Sequence, residues 1–252
     1  KSVIMRQSSM LEHAELAVIL SNMTPLGWLE RCPTFKDDVR DDEARSTVSL
    51  GKLMYPVLMT ADIACYNAEV VPVGRDQLPH LELSREIIRR FNGNYGDILK
   101  EPEAILSSVP MLLGIDKRKM SKSYNNSIEL RETPASLKDK IQQMITDPQR
   151  VRRNDPGNPE VCTVYAYHKI YTPDRLEEIG AGCRSAGIGC RDCKNILFER
   201  INAMLEPIRQ RREEIKARPG YIADVLAAGE TRAHEVAGET MHSVRKAMGF
   251  LY

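Results

Sequence analysis

Apolar residues recur at helical spacing over residues 12–20, and Pro25-Leu26-Gly27 then turns the chain. Charges of both signs dominate residues 36–45, which read as a solvated connection. The three-and-four spacing returns over 53–66, and the β-branched run Val70-Val71-Pro72-Val73 closes on Gly74, as a short buried strand would. A helix is expected over about 78–91, stopped by Asn92-Gly93-Asn94. Helix, strand and helix in that order predict the later half of a doubly wound sheet. Thr133-Pro134 then supplies an N-cap and first helical residue for a helix to about Ile145, and a Pro-, Gly- and Asn-rich loop covers 147–160. Leu197, Ile201, Leu205, Ile208 and Ile215 share one helical face, with Pro207 expected to kink it, and a last helix is expected over about 231–248. The fold class is therefore α/β: a partial Rossmann-type nucleotide-binding domain over 1–128, followed by an all-helical domain over 129–252.

Length and composition narrow this only modestly. A chain of 252 residues, 42% hydrophobic and 28% charged, can bury a core without disulfides. The net charge of +1 leaves nucleic-acid binding to local clusters, for which Arg150, Arg152 and Arg153 are candidates, as are Arg209, Arg211, Arg212, Lys216 and Arg218. No apolar stretch is long enough to cross a bilayer, and residues 1–7 lack the apolar core of a secretory signal, so a cytoplasmic protein is expected.

Three features carry candidate chemistry. In Lys119-Met120-Ser121-Lys122-Ser123, two ammonium groups are separated by small hydroxyls in a Gly-, Asp- and cation-rich loop, which suits a mobile grip on a polyphosphate. Tyr55, Met59, Asp62 and Tyr66 fall on one helical face. An acid in such a stripe demands a partner: a Lys or Arg, a capping role, or the N–H edge of a flat aromatic ligand. Finally, Cys162, Cys183, Cys190 and Cys193 form C-x20-C-x6-C-x2-C, a set that could serve zinc or an iron-sulfur cluster, with spacing alone not separating the two. Cys32 and Cys65 read as ordinary buried thiols.

The run from Lys119 to Ser123 is identical to the signature loop of class I aminoacyl-tRNA synthetases. Tyr55-Pro56-Val57-Leu58-Met59-Thr60-Ala61-Asp62-Ile63, Val71 to Gln77, and His80 to Glu86 closely resemble the bacterial tryptophanyl-tRNA synthetases, as do Glu12 to Ala17 and Ile188 to Lys194. The resemblance implies ATP-dependent activation of L-tryptophan and its transfer to tRNA(Trp) by a homodimer, with a helical anticodon-binding domain. It implies that Asp62 accepts the indole N–H between Met59 and Val73, and that Tyr55 and Gln77 hold the ammonium and carboxylate end. Gly74, Arg75 and Asp76 would meet the ATP ribose, Met111 and Met120 would flank the adenine, and Lys119 and Lys122, with Ser121 and Ser123 between and beside them, would meet the phosphates. Mg²⁺ would share the phosphate charge. A subset of the family resembles the cysteine pattern and carries a [4Fe-4S] cluster, which favours iron-sulfur over zinc.

Class I synthetases also carry a His-x-Gly-His string, and none of His13, His80, His168, His234 or His242 lies in one. The expectation is a synthetase lacking the N-terminal segment with that motif, its activity weakened accordingly. The alternatives are a tyrosyl-tRNA synthetase, disfavoured by the Val71 to Gln77 string and the cysteines, and a non-catalytic RNA-binding or iron-sulfur paralogue.

Overall fold

The structure, a computed structural model, describes residues 2–39, 46–106 and 112–250. These fall into two compact units, Lys1–Ser108 with Gly220–Tyr252, and Val109–Pro219.

In the first unit, α1 (Leu11–Ser21), α2 (Leu26–Glu30), α3 (Pro33–Asp38) and α4 (Leu50–Ala64) precede the strand β1 (Val70–Val73). Helix α5 (Leu78–Tyr95) then crosses over to β2 (Glu103–Leu106), which pairs parallel to β1 with Val70 opposite Glu103 and Val73 opposite Leu106. This β-α-β unit is the Rossmann-type element that the pattern predicts. The strand is not buried, however: Val70 is 44% and Ile105 56% exposed, because among the described residues no third strand pairs with either. The core lies among the helices instead. Leu16 and Leu20 of α1, Val57 and Ala61 of α4, and Ile88 and Phe91 of α5 are essentially sealed from solvent. Each large side chain so buried contributes about 1.5–3 kcal/mol.

Local chemistry explains where elements depart from expectation. The turn at Pro25 is the entry to α2, since Pro25 takes the extended N-cap conformation and Leu29 is drawn into the core. Helix α3 occupies the first part of the expected solvated connection, and residues 40–45 lie outside the described residues. Helix α5 runs through Asn92-Gly93-Asn94 and stops at Gly96, whose φ of 101° only glycine adopts freely. Asn92 does not break the helix because its side chain accepts from the Ile98 and Leu99 amides and donates to the Leu99 carbonyl.

The second unit holds α6 (Pro134–Gln143), α7 (Thr163–Tyr171), α8 (Leu176–Arg184) and α9 (Cys190–Lys216). Thr133 caps α6 by accepting from the Ser136 amide, with Pro134 at the first position. Helix α9 continues through Pro207 and buries Leu197, Ile201 and Leu205 against Leu137, Ile141 and Val164. The last helix, α10 (Tyr221–Ala247), starts ten residues before the expected Thr231, behind Gly220 at φ 81°. It belongs to the first unit, burying Ala233, Ala237, Met241 and Val244 in that core, so the helical stretch from 129 onward is shared between the two units. Ion pairs of Arg245 with Glu15 and of Arg6 with Glu230 at 2.6 Å reinforce the return of α10, as does a contact of His234 Nδ1 with Glu12 at 2.8 Å. Among the described residues no helix is long and apolar enough to cross a membrane.

Candidate active site

Asp62 sits near the C-terminal end of α4, its side chain 36% exposed. Its partners are neither Lys nor Arg. Gln7 Nε2 lies 2.8 Å from each carboxylate oxygen, and His13 Nδ1 stands at ion-pair distance, 2.8 Å from Oδ1. His13 Nε2 is in turn 2.7 Å from the Tyr66 hydroxyl. Burial, reinforced by Cys65, Glu12 and Asp62, pushes the Tyr66 phenol up to about 12, so it stays neutral. Gln7 and His13 went unnoticed in the sequence. The one available signal was an imidazole on the buried face of α1, and a buried histidine by itself says little.

Tyr55 and Met59 are half-buried on the same helix. The Tyr55 hydroxyl lies 2.9 Å from Nε2 of His80, a second histidine whose place in the site only the fold reveals, and the two rings meet edge to face. Burial holds the His80 imidazole below its ordinary range, with Asp76 pulling weakly the other way. Val73 ends β1, and the chain leaves it through Gly74 into a 3-10 turn over Arg75–Gln77. Gln77 donates to Asp76 at 3.0 Å. A Cβ on Gly74 would lie 2.6 Å from Asp76 Oδ1, so glycine is what lets that carboxylate fold back on the turn.

The lysine-rich loop lies in the second unit and is closed rather than slack. Leu113 and Lys119 form an antiparallel bridge, and the Gly114 amide donates to the Arg118 carbonyl at 2.8 Å. The buried Asn126 holds the loop together: its Oδ1 accepts from the Ser121 amide at 2.8 Å, while its Nδ2 donates to Asp116 at 2.8 Å and the Lys119 carbonyl at 3.1 Å. That Asn126 hydrogen bond is also the chief reason the Asp116 carboxyl is held below its usual range. Gly114 must be glycine here, since a Cβ would lie 2.3 Å from Asn126 Nδ2. Ser121 caps a 3-10 turn over Lys122–Tyr124 by accepting from the Ser123 amide. Met120 packs inward on the helical core, and Tyr167 donates to the Leu113 carbonyl at 2.8 Å. Lys119 and Lys122 remain exposed, and among the described residues neither ammonium has an ion-pair partner. Met111 lies outside the described residues.

The cations proposed for nucleic acid are largely engaged within the fold. Arg211, Arg212 and Lys216 pair with Glu214 and Glu213, Arg209 pairs with Glu206, and Arg150 and Arg153 donate to backbone carbonyls.

The four cysteines share one neighbourhood. Cys162 precedes α7, Cys183 lies near the end of α8, and Cys190 and Cys193 open α9. The Cys193 thiol is pushed up to about 12, first by burial and then by Cys162, Cys183 and Cys190. Yet among the described residues no group of three or more His, Cys, Asp or Glu side chains is arranged to hold a metal ion. The Cys193 sulfur lies 3.3 Å from His168 Nε2, the Cys183 sulfur lies 4.0 Å from the Arg150 guanidinium, and burial favours neutral thiols over the thiolates that a metal needs. The donor set does not fit the group. The expectation of a [4Fe-4S] cluster at Cys162, Cys183, Cys190 and Cys193, or of zinc in its place, is corrected accordingly.

Comparison with known proteins bears on the loop and on the Asp62 face together. The family model for tRNA synthetases class I (W and Y) matches residues 1–206. The tryptophan–tRNA ligase of Thermotoga maritima is 47% identical over 254 aligned residues, covering 100% of this chain and 77% of that protein. The chain belongs to the class I tRNA synthetases. The family model matches this chain from residue 1 onward, and the expectation of a chain lacking the family's N-terminal segment is set aside as a correction. The tryptophan–tRNA ligase of Deinococcus radiodurans is 44% identical, with 100% of this chain and 76% of that protein covered. Among solved structures, the Campylobacter jejuni tryptophanyl-tRNA synthetase complexed with ADP and tryptophan superposes with a TM-score of 0.81 at 33% identity, covering 98% of this chain and 77% of that one. All three are tryptophan members of a family that also includes tyrosine enzymes.

Proposed function

We propose that the chain is a tryptophan–tRNA ligase, which activates L-tryptophan with ATP to tryptophanyl-adenylate and transfers it to tRNA(Trp). The observation that carries this is identity of 47% across the chain to a tryptophan–tRNA ligase, in a chain that presents two exposed lysines on the Lys119 to Ser123 loop. The tyrosine alternative finds no support among these relatives.

MgATP enters as substrate. Attack of the tryptophan carboxylate on the α-phosphate releases pyrophosphate, and Lys119 and Lys122, steadied by Ser121 and Ser123, neutralise the departing charge. Asp62 accepts the indole N–H, with Met59 and Val73 as apolar walls. Tyr55 and Gln77 take the amino-acid end, Gly74, Arg75 and Asp76 the ribose, and Met120, with Met111, the adenine. The half-buried position of Tyr55, Met59 and Asp62 along one helix supports this reading. Anticodon recognition falls to the helical part from 129 onward and nucleotide chemistry to 1–128. A homodimer is the working assembly, for which exposed Leu11, Val18 and Leu26 supply apolar surface. A cytoplasmic location, where tRNA and ATP are at hand, fits this activity.

Tryptophan-dependent exchange of pyrophosphate into ATP, followed by charging of tRNA(Trp), tests the proposal. Exchange with tryptophan but not tyrosine is expected, and exchange with tyrosine instead would overturn it.

A further inference from the structure

Asp62 is held by the Gln7 side chain, and His13, whose Nδ1 makes no hydrogen bond of its own, packs against it; both lie outside its helix. Gln7 offers its amide to both carboxylate oxygens at 2.8 Å, and His13, only 3% exposed, stands 2.8 Å from Oδ1. His13 is itself fixed by the Tyr66 hydroxyl at 2.7 Å, and that hydroxyl donates to Met5 Sδ at 3.1 Å. Met5 and Gln7 are two residues apart in the chain, so the contacts close into a ring that passes through α1, α4 and the N-terminal segment. Helix α10 pins the same segment. A Cβ on Gly229 would lie 1.9 Å from the Ile4 carbonyl, and Glu230 accepts from Arg6 at 2.6 Å and from Ser9 at 3.0 Å. Those contacts draw the Glu230 carboxyl down to about 2, with the Arg6 hydrogen bond the larger cause.

We propose that Gln7, with His13 packed beside Oδ1, is a positioning residue that locks the orientation of the Asp62 carboxylate, and so sets how strictly the site demands an N–H at the edge of its aromatic ligand. This rests on the reading of Asp62 as the indole acceptor. A carboxylate has about four lone-pair positions. Gln7 draws on both oxygens and His13 adjoins Oδ1, which leaves Oδ2 the acceptor with spare capacity. An acceptor held in one orientation rewards an N–H placed against it and goes unpaired when the ligand lacks one. A carboxylate free to rotate would turn to water instead, and the distinction between the two ligands would shrink.

The test compares tryptophan with 3-(benzothiophen-3-yl)alanine, which has the same shape but sulfur in place of N–H. Dissociation constants are measured by calorimetry for the full chain and for Gln7→Met, His13→Gln and Asp62→Ala. The parent chain should prefer tryptophan by about tenfold or more, the worth of one hydrogen bond to a charged group. Gln7 is exposed, so Gln7→Met should fold normally. It should lower the preference at least threefold by weakening tryptophan while leaving the sulfur analogue nearly unchanged, and a folded His13→Gln should do the same. A purely structural role would weaken both ligands alike, and that result in Gln7→Met would overturn the proposal. A collapsed preference in Asp62→Ala with an unchanged one in Gln7→Met would remove the clamp but keep Asp62 as acceptor. An unchanged preference in Asp62→Ala, or a parent chain that binds neither ligand, would remove both.

Discussion

Gly229 of α10 approaches Ile4 so closely that a Cβ there would lie 1.9 Å from the Ile4 carbonyl oxygen. The clash is with backbone, which cannot swing aside as a side-chain tip can. Helix α10 and the N-terminal segment are therefore held in register by the absence of one methyl group. Gly229→Ala should cost about 1–3 kcal/mol despite its better helix propensity, as overpacking of a fixed contact does. Thermal denaturation should show a lower Tm, and a Tm at or above that of the parent would show that the segment can move away freely.

Asn126 should matter to the phosphate loop more than its unremarkable place in the sequence suggests. Asn126→Ala strips partners from the Ser121 amide, Asp116 and the Lys119 carbonyl at once. Part of that loss is recovered by water, so the expected destabilisation is about 1–3 kcal/mol. Amide hydrogen exchange at Ser121 should quicken sharply. Protection equal to the parent's would mean that the bridge between Leu113 and Lys119 holds the loop without Asn126.

Lys122→Ala should slow tryptophan activation on the order of a hundredfold, the scale of losing one preorganised donor to developing charge. The ammonium acts most as pyrophosphate departs, so kcat and kcat/KM should fall together while KM for ATP changes little. Transfer from preformed tryptophanyl-adenylate should be nearly unaffected. A mutant with normal kcat and a raised KM for ATP would place Lys122 in ground-state binding alone.

His80 links stability to pH. Burial lowers its folded-state pKa from the ordinary 6.5, and a neutral ring suits its contact with the Tyr55 hydroxyl. Between the two values the unfolded chain binds the proton more readily than the folded one, so stability rises with pH there. The contribution is complete above 6.5 and is lost as pH falls through the lower folded value. Urea unfolding at pH 7 and pH 5 should show a lower midpoint at pH 5, and His80→Gln should reduce that difference. An undiminished difference in the variant would assign the effect to other groups.

The longer helices, the strand β1 and the Lys119 to Ser123 loop could be read directly from the residues, whereas β2 and the short helices α2, α3, α7 and α8 could not. Periodicity and capping are local properties, expressed within a few turns of the chain, which is why Thr133-Pro134 marked the start of α6 correctly. The Tyr55, Met59 and Asp62 stripe was legible for the same reason. The partners of Asp62 were not, because Gln7 lies 55 residues away and meets it only after α1 has packed on α4. Nor did spacing reveal that the cysteines would gather without converging on one metal position.

By itself, then, the sequence determined the longer helices and the strand β1, the chemistry of the phosphate loop and the resemblance to a synthetase family. Only the tertiary structure decided that α10 returns to the first unit, that Glu230 anchors Arg6 across 224 residues, and that Gln7 and His13 close on Asp62. Local patterns are written in neighbouring side chains, whereas these contacts depend on how whole helices bury their faces against one another. A donor's distance from an acceptor follows from that packing and not from its position in the chain.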